Sequence, residues 1–178
     1  LALTMTRLPG VRRVIGVDFS AEMLRLGQRK VNEAEVARAV TMVRGDAMSV
    51  PVTNAIADVV TIGFGIRNVQ VPSETLGEVH RILRPGGRVA ILEFGFPRNI
   101  FIRNIYKWYF RRVLPLVGKV VSRHSSAYSY LPASVGTFCA PAEFCSILSS
   151  AGFTGVRAAP LTFGIVYLYL ATKSVAPD

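Results

Sequence analysis

Asp58 to Asn68 reads Asp-Val-Val-Thr-Ile-Gly-Phe-Gly-Ile-Arg-Asn. A charge-free, β-branched run passes into two glycines around Phe64, and then into a guanidinium and an amide, Arg67 and Asn68. That order has the form of a buried strand ending in a binding loop. In open α/β sheets, ligands lie outside the carboxyl ends of the strands. Arg67 there could hold an oxyanion by charge-assisted hydrogen bonds, with Asn68 fixing Arg67 or the same oxygen. A plain β-to-α turn with a solvated arginine fits the same residues. Three carboxylates occupy equivalent places elsewhere: Asp18 closes the apolar run from Val14, Asp46 follows Val40 to Val43, and Glu93 lies near the end of Arg88 to Phe94.

The elements that position these groups follow from patterning. Val14–Asp18, Val40–Val43, Ala57–Ile62 and Arg88–Phe94 read as strands. Ser20 is an expected N-cap, with Glu22 in the first turn, for a helix carrying Met23, Leu24, Leu26 and Val31. Pro72-Ser73-Glu74 opens a second helix, whose Leu76, Val79, His80 and Leu83 fall at i, i+3, i+4, i+7. Arg84-Pro85-Gly86-Gly87 is expected to stop that helix and turn the chain. Strands separated by helices imply right-handed crossovers and a parallel sheet covered on both faces. Such a sheet brings Asp18, Asp46, Gly63 to Asn68 and Glu93 to one rim. Pro141–Ala151 reads as a helix stopped by Gly152, and Val156–Ala159 and Ile165–Ala171 as a closing antiparallel pair.

With 178 residues, the chain can bury the core of one domain. At 51% hydrophobic and 18% charged it is too apolar to be disordered. It has no run of about 18 uncharged apolar residues that would cross a membrane. Cys139 and Cys145 match neither a metal nor a disulfide spacing, and no metal site is expected. The net charge of +10 allows nucleic acid or an anionic membrane surface as a partner. Phe101 to Arg123 interleaves aromatic residues with Arg103, Lys107, Arg111 and other bases, which suits a helix lying in a membrane interface. A surface helix with a solvated basic face and a stacking platform for RNA are the competing readings. Leu1 to Leu8 has the look of a helix end without a beginning, so the sequence is expected to be a fragment.

Two carboxylates on adjacent strand ends suit a nucleoside. Asp18 could accept from both ribose hydroxyls and Asp46 from the exocyclic amine of adenine. NAD, FAD and S-adenosylmethionine all carry adenosine. Gly10, Gly16 and Gly27 do not form the glycine-rich loop that would distinguish them.

Several segments carry a resemblance: Asp18-Phe19-Ser20 with Met23-Leu24, Gly45-Asp46-Ala47 with Pro51, Phe64-Gly65-Ile66-Arg67-Asn68, Leu83 to Gly87, Leu92-Glu93-Phe94 and Tyr128-Ser129-Tyr130-Leu131-Pro132. In this order and spacing the chain resembles the UbiE-type methyltransferases of ubiquinone and menaquinone biosynthesis. The resemblance implies a Rossmann-like class I methyltransferase of the α/β class. Its sheet is mainly parallel with an antiparallel last strand, and it lacks the first strand and glycine-rich loop. Residues 1–178 form a single, partial domain, with 98–137 as a lid on the substrate side. The implied cofactor is S-adenosylmethionine, bound by Asp18, Asp46, Ala47 and Gly63, the last a position where relatives often carry Ser. The implied substrate is a prenylated quinol, methylated on carbon, with Arg67 and Asn68 catalytic and Tyr128 and Tyr130 against the substrate. His124 is a reserve candidate for proton transfer. The expected setting is cytoplasmic, peripheral at the inner membrane face through residues 100–123, without nucleic acid; a homodimer is compatible. Two alternatives stand beside this reading: a fragment that binds no cofactor alone, and a nucleic-acid methyltransferase.

Overall fold

The computed structural model of the protein describes residues 1–95 and 138–175, together with Pro97, Ile100, Phe101, Asn104, Trp108 and Arg112. Helices α1 (Ala2–Met5), α2 (Ala21–Glu33), α3 (Pro72–Ile82) and α4 (Pro141–Ser150) alternate with strands β1 (Val14–Asp18), β2 (Val40–Arg44), β3 (Ala57–Gly63), β4 (Leu83–Phe94), β5 (Phe153–Leu161) and β6 (Val166–Lys173). The helix starts follow the sequence signals. The Ser20 side chain accepts from the Met23 N–H, and Pro72 and Pro141 open α3 and α4, where a missing N–H costs nothing.

Strands β1 and β2 pair in parallel, as do β3 and β4. The chain then reverses: β6 runs antiparallel to both β4 and β5, giving the order β3-β4-β6-β5. The expected single sheet is a pair of sheets. β1 and β2 form their own two-stranded sheet, and among the described residues no strand pairs with both β1 and β3. Helix α1 lies against β1 and also reaches β3, where the Thr61 hydroxyl lies 3.5 Å from Met5 Sδ.

Each sheet has its own core. The larger is centred on Leu76 and Val79 of α3, Val89 and Ile91 of β4, Phe144 and Leu148 of α4, and Tyr167 and Tyr169 of β6. The smaller has Val14, Val31 and Val40 buried at its centre. Two expectations for α3 change. Leu83 is buried, but as the first residue of β4, and His80 is only half-buried, its ring edge-on to Phe153 at 5.2 Å.

Arg84 to Gly87 is not a turn between two elements. Ala57 pairs with Leu83 and Val59 with Arg88, so the segment bulges out of β4 while the strand continues. Gly86 has φ +77°, and a Cβ on Gly87 would stand 2.8 Å from the Arg84 carbonyl oxygen. The glycines are required by the shape of the bulge, and helix termination is already complete at Ile82.

Candidate functional site

At the carboxyl ends of β1 and β2, Asp18 and Asp46 come together. The Gly45 N–H donates to the Asp18 carbonyl at 3.2 Å, which ties the two strand ends to each other. Each carboxylate also fixes its own turn: Asp18 Oδ1 accepts from the Ser20 N–H at 2.8 Å, and Asp46 Oδ1 from the Met48 N–H at 2.9 Å. Both residues are exposed, and Ala47 beside them is half-buried. Phe19 stands out from the same rim, 72% exposed, with the Arg44 guanidinium 6.0 Å from its ring centroid. An outward aromatic beside two carboxylates offers a flat apolar surface and hydrogen-bond acceptors, the two demands of an adenosine.

The loop from Asp46 to Asn54 is clamped onto α3. Glu78 accepts from the Val50 N–H at 2.6 Å and pairs with Arg81 at 2.7 Å. Arg81 in turn donates to the carbonyls of Val50 and Val52, each at 3.0 Å, and to the Asn54 side chain. Sequence periodicity places Glu78 and Arg81 on a helix, but only the fold reveals that they hold the Asp46 loop. The hydrogen bond from Arg81 holds Glu78 below the ordinary carboxylate range, against burial, which acts the other way. His80, between them in sequence, is held below its ordinary value by burial and by the Lys173 charge, with a backbone bond at Gly152 opposing.

These shifts fix a sign. Both groups bind a proton less readily in the folded chain than in the unfolded one, so the stability each contributes is complete above its ordinary value and is lost on acidification. Urea unfolding followed across pH should show stability falling first below 6.5, from His80, and again below 4.5, from Glu78. The second fall should be smaller in Glu78→Gln.

At the carboxyl ends of β3 and β4 the geometry is tighter. Phe64, not a neighbouring glycine, takes the left-handed conformation, with φ 56°. It is held there by its N–H, which donates to the Leu92 carbonyl at 2.8 Å, and by its ring, 4.6 Å from that of Phe94. Such strain persists only where the surroundings over-determine it, and it recurs at binding sites. Ile66 is fully buried and anchors the 3-10 turn Ile66–Asn68, which aims Arg67 back under the strand ends. The Arg67 side chain is 8% exposed, and that of Glu93 is fully buried. Their Nη1–Oε1 distance is 2.6 Å; Nη1 also donates to the Phe64 carbonyl at 2.7 Å, and the guanidinium carbon lies 5.3 Å from the Phe94 ring centroid.

Arg67 is therefore not the solvated arginine of a plain turn. Glu93, which sequence reading placed on the rim without a role, is its partner. The available signal was a carboxylate set in an otherwise apolar strand, Ala90-Ile91-Leu92-Glu93-Phe94. Asn68 stays exposed, its N–H donating to the Gly65 carbonyl at 3.0 Å. Gly63 lies at the mouth of this group, where an added Cβ would meet only Leu1 Cδ2, at an ordinary 3.6 Å. Gly63→Ser is accordingly expected to change stability by no more than about 0.5 kcal/mol, checked by thermal unfolding.

The structure thus assembles Asp18, Asp46 and Ala47 at one rim, and Gly63, Arg67, Asn68 and Glu93 at the other, with Leu1 of the α1 segment touching the second. Tyr128, Tyr130, His124 and the basic Arg103, Lys107 and Arg111 lie outside the described residues. Among the described residues, no group of three metal-ligating side chains occurs. No described helix is long and apolar enough to cross a membrane.

Known proteins resemble this chain in sequence and in fold. The sequence model of the ubiE/COQ5 methyltransferase family matches residues 2–173. The chain is 40% identical over 167 residues to the ubiquinone/menaquinone biosynthesis C-methyltransferase UbiE of Geotalea daltonii, covering 94% of this chain and 71% of that protein. It is 38% identical over 160 residues to the demethylmenaquinone methyltransferase of Lactiplantibacillus plantarum, covering 90% and 68%. Among solved structures, a putative methyltransferase of Bacillus halodurans superposes with a TM-score of 0.65 at 16% identity, over 94% of this chain and 85% of that one. The [4+2]-cyclase SpnF superposes with a TM-score of 0.69 at 15% identity, over 98% and 70%. A cyclase and a methyltransferase on one scaffold speak for the fold alone.

Proposed function

Because the chain belongs to the ubiE/COQ5 methyltransferase family, we propose that it transfers a methyl group from S-adenosylmethionine to a ring carbon of a prenylated quinol in respiratory quinone biosynthesis. The observation that carries this reading is the placement of Arg67 just beyond the end of β3, in the segment Phe64 to Asn68, paired with Glu93 at the carboxyl end of β4.

S-adenosylmethionine supplies a methyl that is already electrophilic, so the work left to the protein is to make the ring carbon a nucleophile. A phenol ionises near pH 10, and losing its proton pushes electron density into the ring. Arg67 stabilises the phenolate oxygen that develops, through charge-assisted N–H donors held in a site of low dielectric. Asn68 orients that oxygen or the water that takes its proton. The ring carbon would take the methyl as its bond to sulfur breaks, with S-adenosylhomocysteine as the leaving group, and the proton on that carbon would then pass to water as the ring regains aromaticity. Holding the carbon in line with the methyl supplies much of the rate.

Asp18 accepts from the ribose hydroxyls in this reading, Asp46 and Ala47 face the adenine, and Gly63 leaves room beside the donor. The exposed carboxylates at adjoining strand ends and the exposed, uncrowded Gly63 fit that assignment. The prenyl tail makes the substrate a membrane lipid, and the exposed Ile100, Phe101 and Trp108 within a basic stretch support peripheral contact with an anionic bilayer.

The test is direct. The full chain, incubated with S-adenosylmethionine and a demethylated prenyl quinol in detergent, should yield the ring-methylated quinol and S-adenosylhomocysteine in equal amounts. No methylated quinol would refute the substrate. Anionic vesicles should retain the protein, and charge reversal at Arg103, Lys107 and Arg111 should release it; retention that survives the reversal would remove the membrane role.

A further inference from the structure

We infer that Glu93 is a positioning residue that sets the pH at which the methyl acceptor ionises, by offsetting the charge of Arg67. The inference rests on the quinol reading above and extends it to a residue with no surface of its own: Glu93 is fully buried and cannot touch a substrate.

Among the described residues, two of its three hydrogen bonds come from Arg67. Oε1 takes the Arg67 Nη1 donor at 2.6 Å and the Phe94 N–H at 2.8 Å, while Oε2 accepts from the Arg67 backbone N–H at 3.3 Å. One carboxylate thus holds both the side chain and the main chain of Arg67, and its own backbone continues into Phe94, whose ring packs on Phe64 and underlies the guanidinium. An isolated guanidinium would steady a phenolate most strongly, yet here a full negative charge is built within hydrogen-bond reach of it. Net charge at the pair is zero, while its donors stay fixed in direction. The acceptor is then steadied by oriented N–H groups and less by a bare positive potential.

Among the described residues, the other titratable groups near Glu93 include two tyrosines of β6. Tyr167 lies across the strand pair from Glu93, and the buried Tyr169 is pushed well above the ordinary phenol range, by burial first and then by neighbours that include Cys139, Cys145, Tyr167 and Glu93. Cys139 and Cys145 are themselves pushed up by burial. Tyr169 and both thiols therefore stay neutral near pH 7, and among the described residues Glu93 is the carboxylate that pairs with Arg67.

The experiment measures kcat against pH for the wild type, Glu93→Gln and Glu93→Asp, with S-adenosylmethionine and the demethylated quinol. Gln preserves the shape and an accepting oxygen but removes the charge. The acidic limb of its profile should move down by about one pH unit, with KM for S-adenosylmethionine unchanged. Asp preserves the charge but withdraws it by one methylene, so its limb should stay in place while kcat falls about tenfold. An unmoved limb in a folded Glu93→Gln would overturn the inference and reduce Glu93 to packing. If Glu93→Gln does not fold, Glu93→Asp decides: unchanged kcat overturns the inference, and a loss of kcat with a fixed limb supports it. A wild type without turnover on the quinol would instead refute the substrate reading, and this inference with it.

Discussion

Arg67→Ala should lower turnover about a hundredfold, the usual loss when one preorganised donor to a developing oxyanion is removed. Affinity for S-adenosylmethionine should barely change, because Asp18 and Asp46 lie on the other strand pair. The structure adds a second consequence. Removing Arg67 leaves the Glu93 carboxylate buried without its cation, and breaking a buried pair in this way costs about 3–5 kcal/mol. A single alanine variant would therefore mix lost chemistry with a disturbed loop. Arg67→Ala should be read beside Arg67→Lys, which keeps a charge near Glu93 but loses the planar fork. Lys should recover most of the lost thermal stability and little of the lost turnover. If both variants turn over at the wild-type rate, Arg67 has no part in the reaction.

Asp18→Asn carries the second large effect. A hydrogen bond to a charged group is worth about 1.5–3 kcal/mol, so S-adenosylmethionine should bind roughly ten- to a hundredfold more weakly by calorimetry. Asn still offers an oxygen to the Ser20 N–H, which Asp18 Oδ1 now accepts from at 2.8 Å, so the turn and the melting temperature should hold. The kcat at saturating cofactor should stay close to that of the wild type. Unchanged affinity would take Asp18 out of the cofactor site.

What sequence reading could see was local. Strand identities follow from charge-free β-branched runs, and helix starts from Ser20, Pro72 and Pro141, because these signals act within a turn or two. The antiparallel ending was visible because only a short segment separates β5 from β6. The misjudged points depend on distant partners. Arg84 to Gly87 looks like a turn until β3 is seen to pair on both sides of it, with Ala57 and Val59. Two glycines drew the eye to residues 63 and 65, yet the left-handed residue is Phe64, held by Leu92 and Phe94 from another strand. Arg67 was singled out as a charge, but its charge is half of a pair whose other half lies 26 positions on. Glu78 and Arg81 form an i, i+3 pair, and their grip on Val50 and Val52 across the fold leaves no trace in helical spacing.

The separation of β1 and β2 from the other strands has a consequence for how the molecule breathes. Their core rests on three buried valines, while the other is built around aromatic rings and long aliphatic chains. Amides of β1 and β2 should therefore exchange with solvent through openings that leave β4 and β6 closed. Asp18 and Asp46 ride on that looser half, and Gly63 on the firmer one. A nucleoside sulfonium held by both would act as a clasp, slowing deuterium uptake most in Val14–Asp18 and Val40–Arg44.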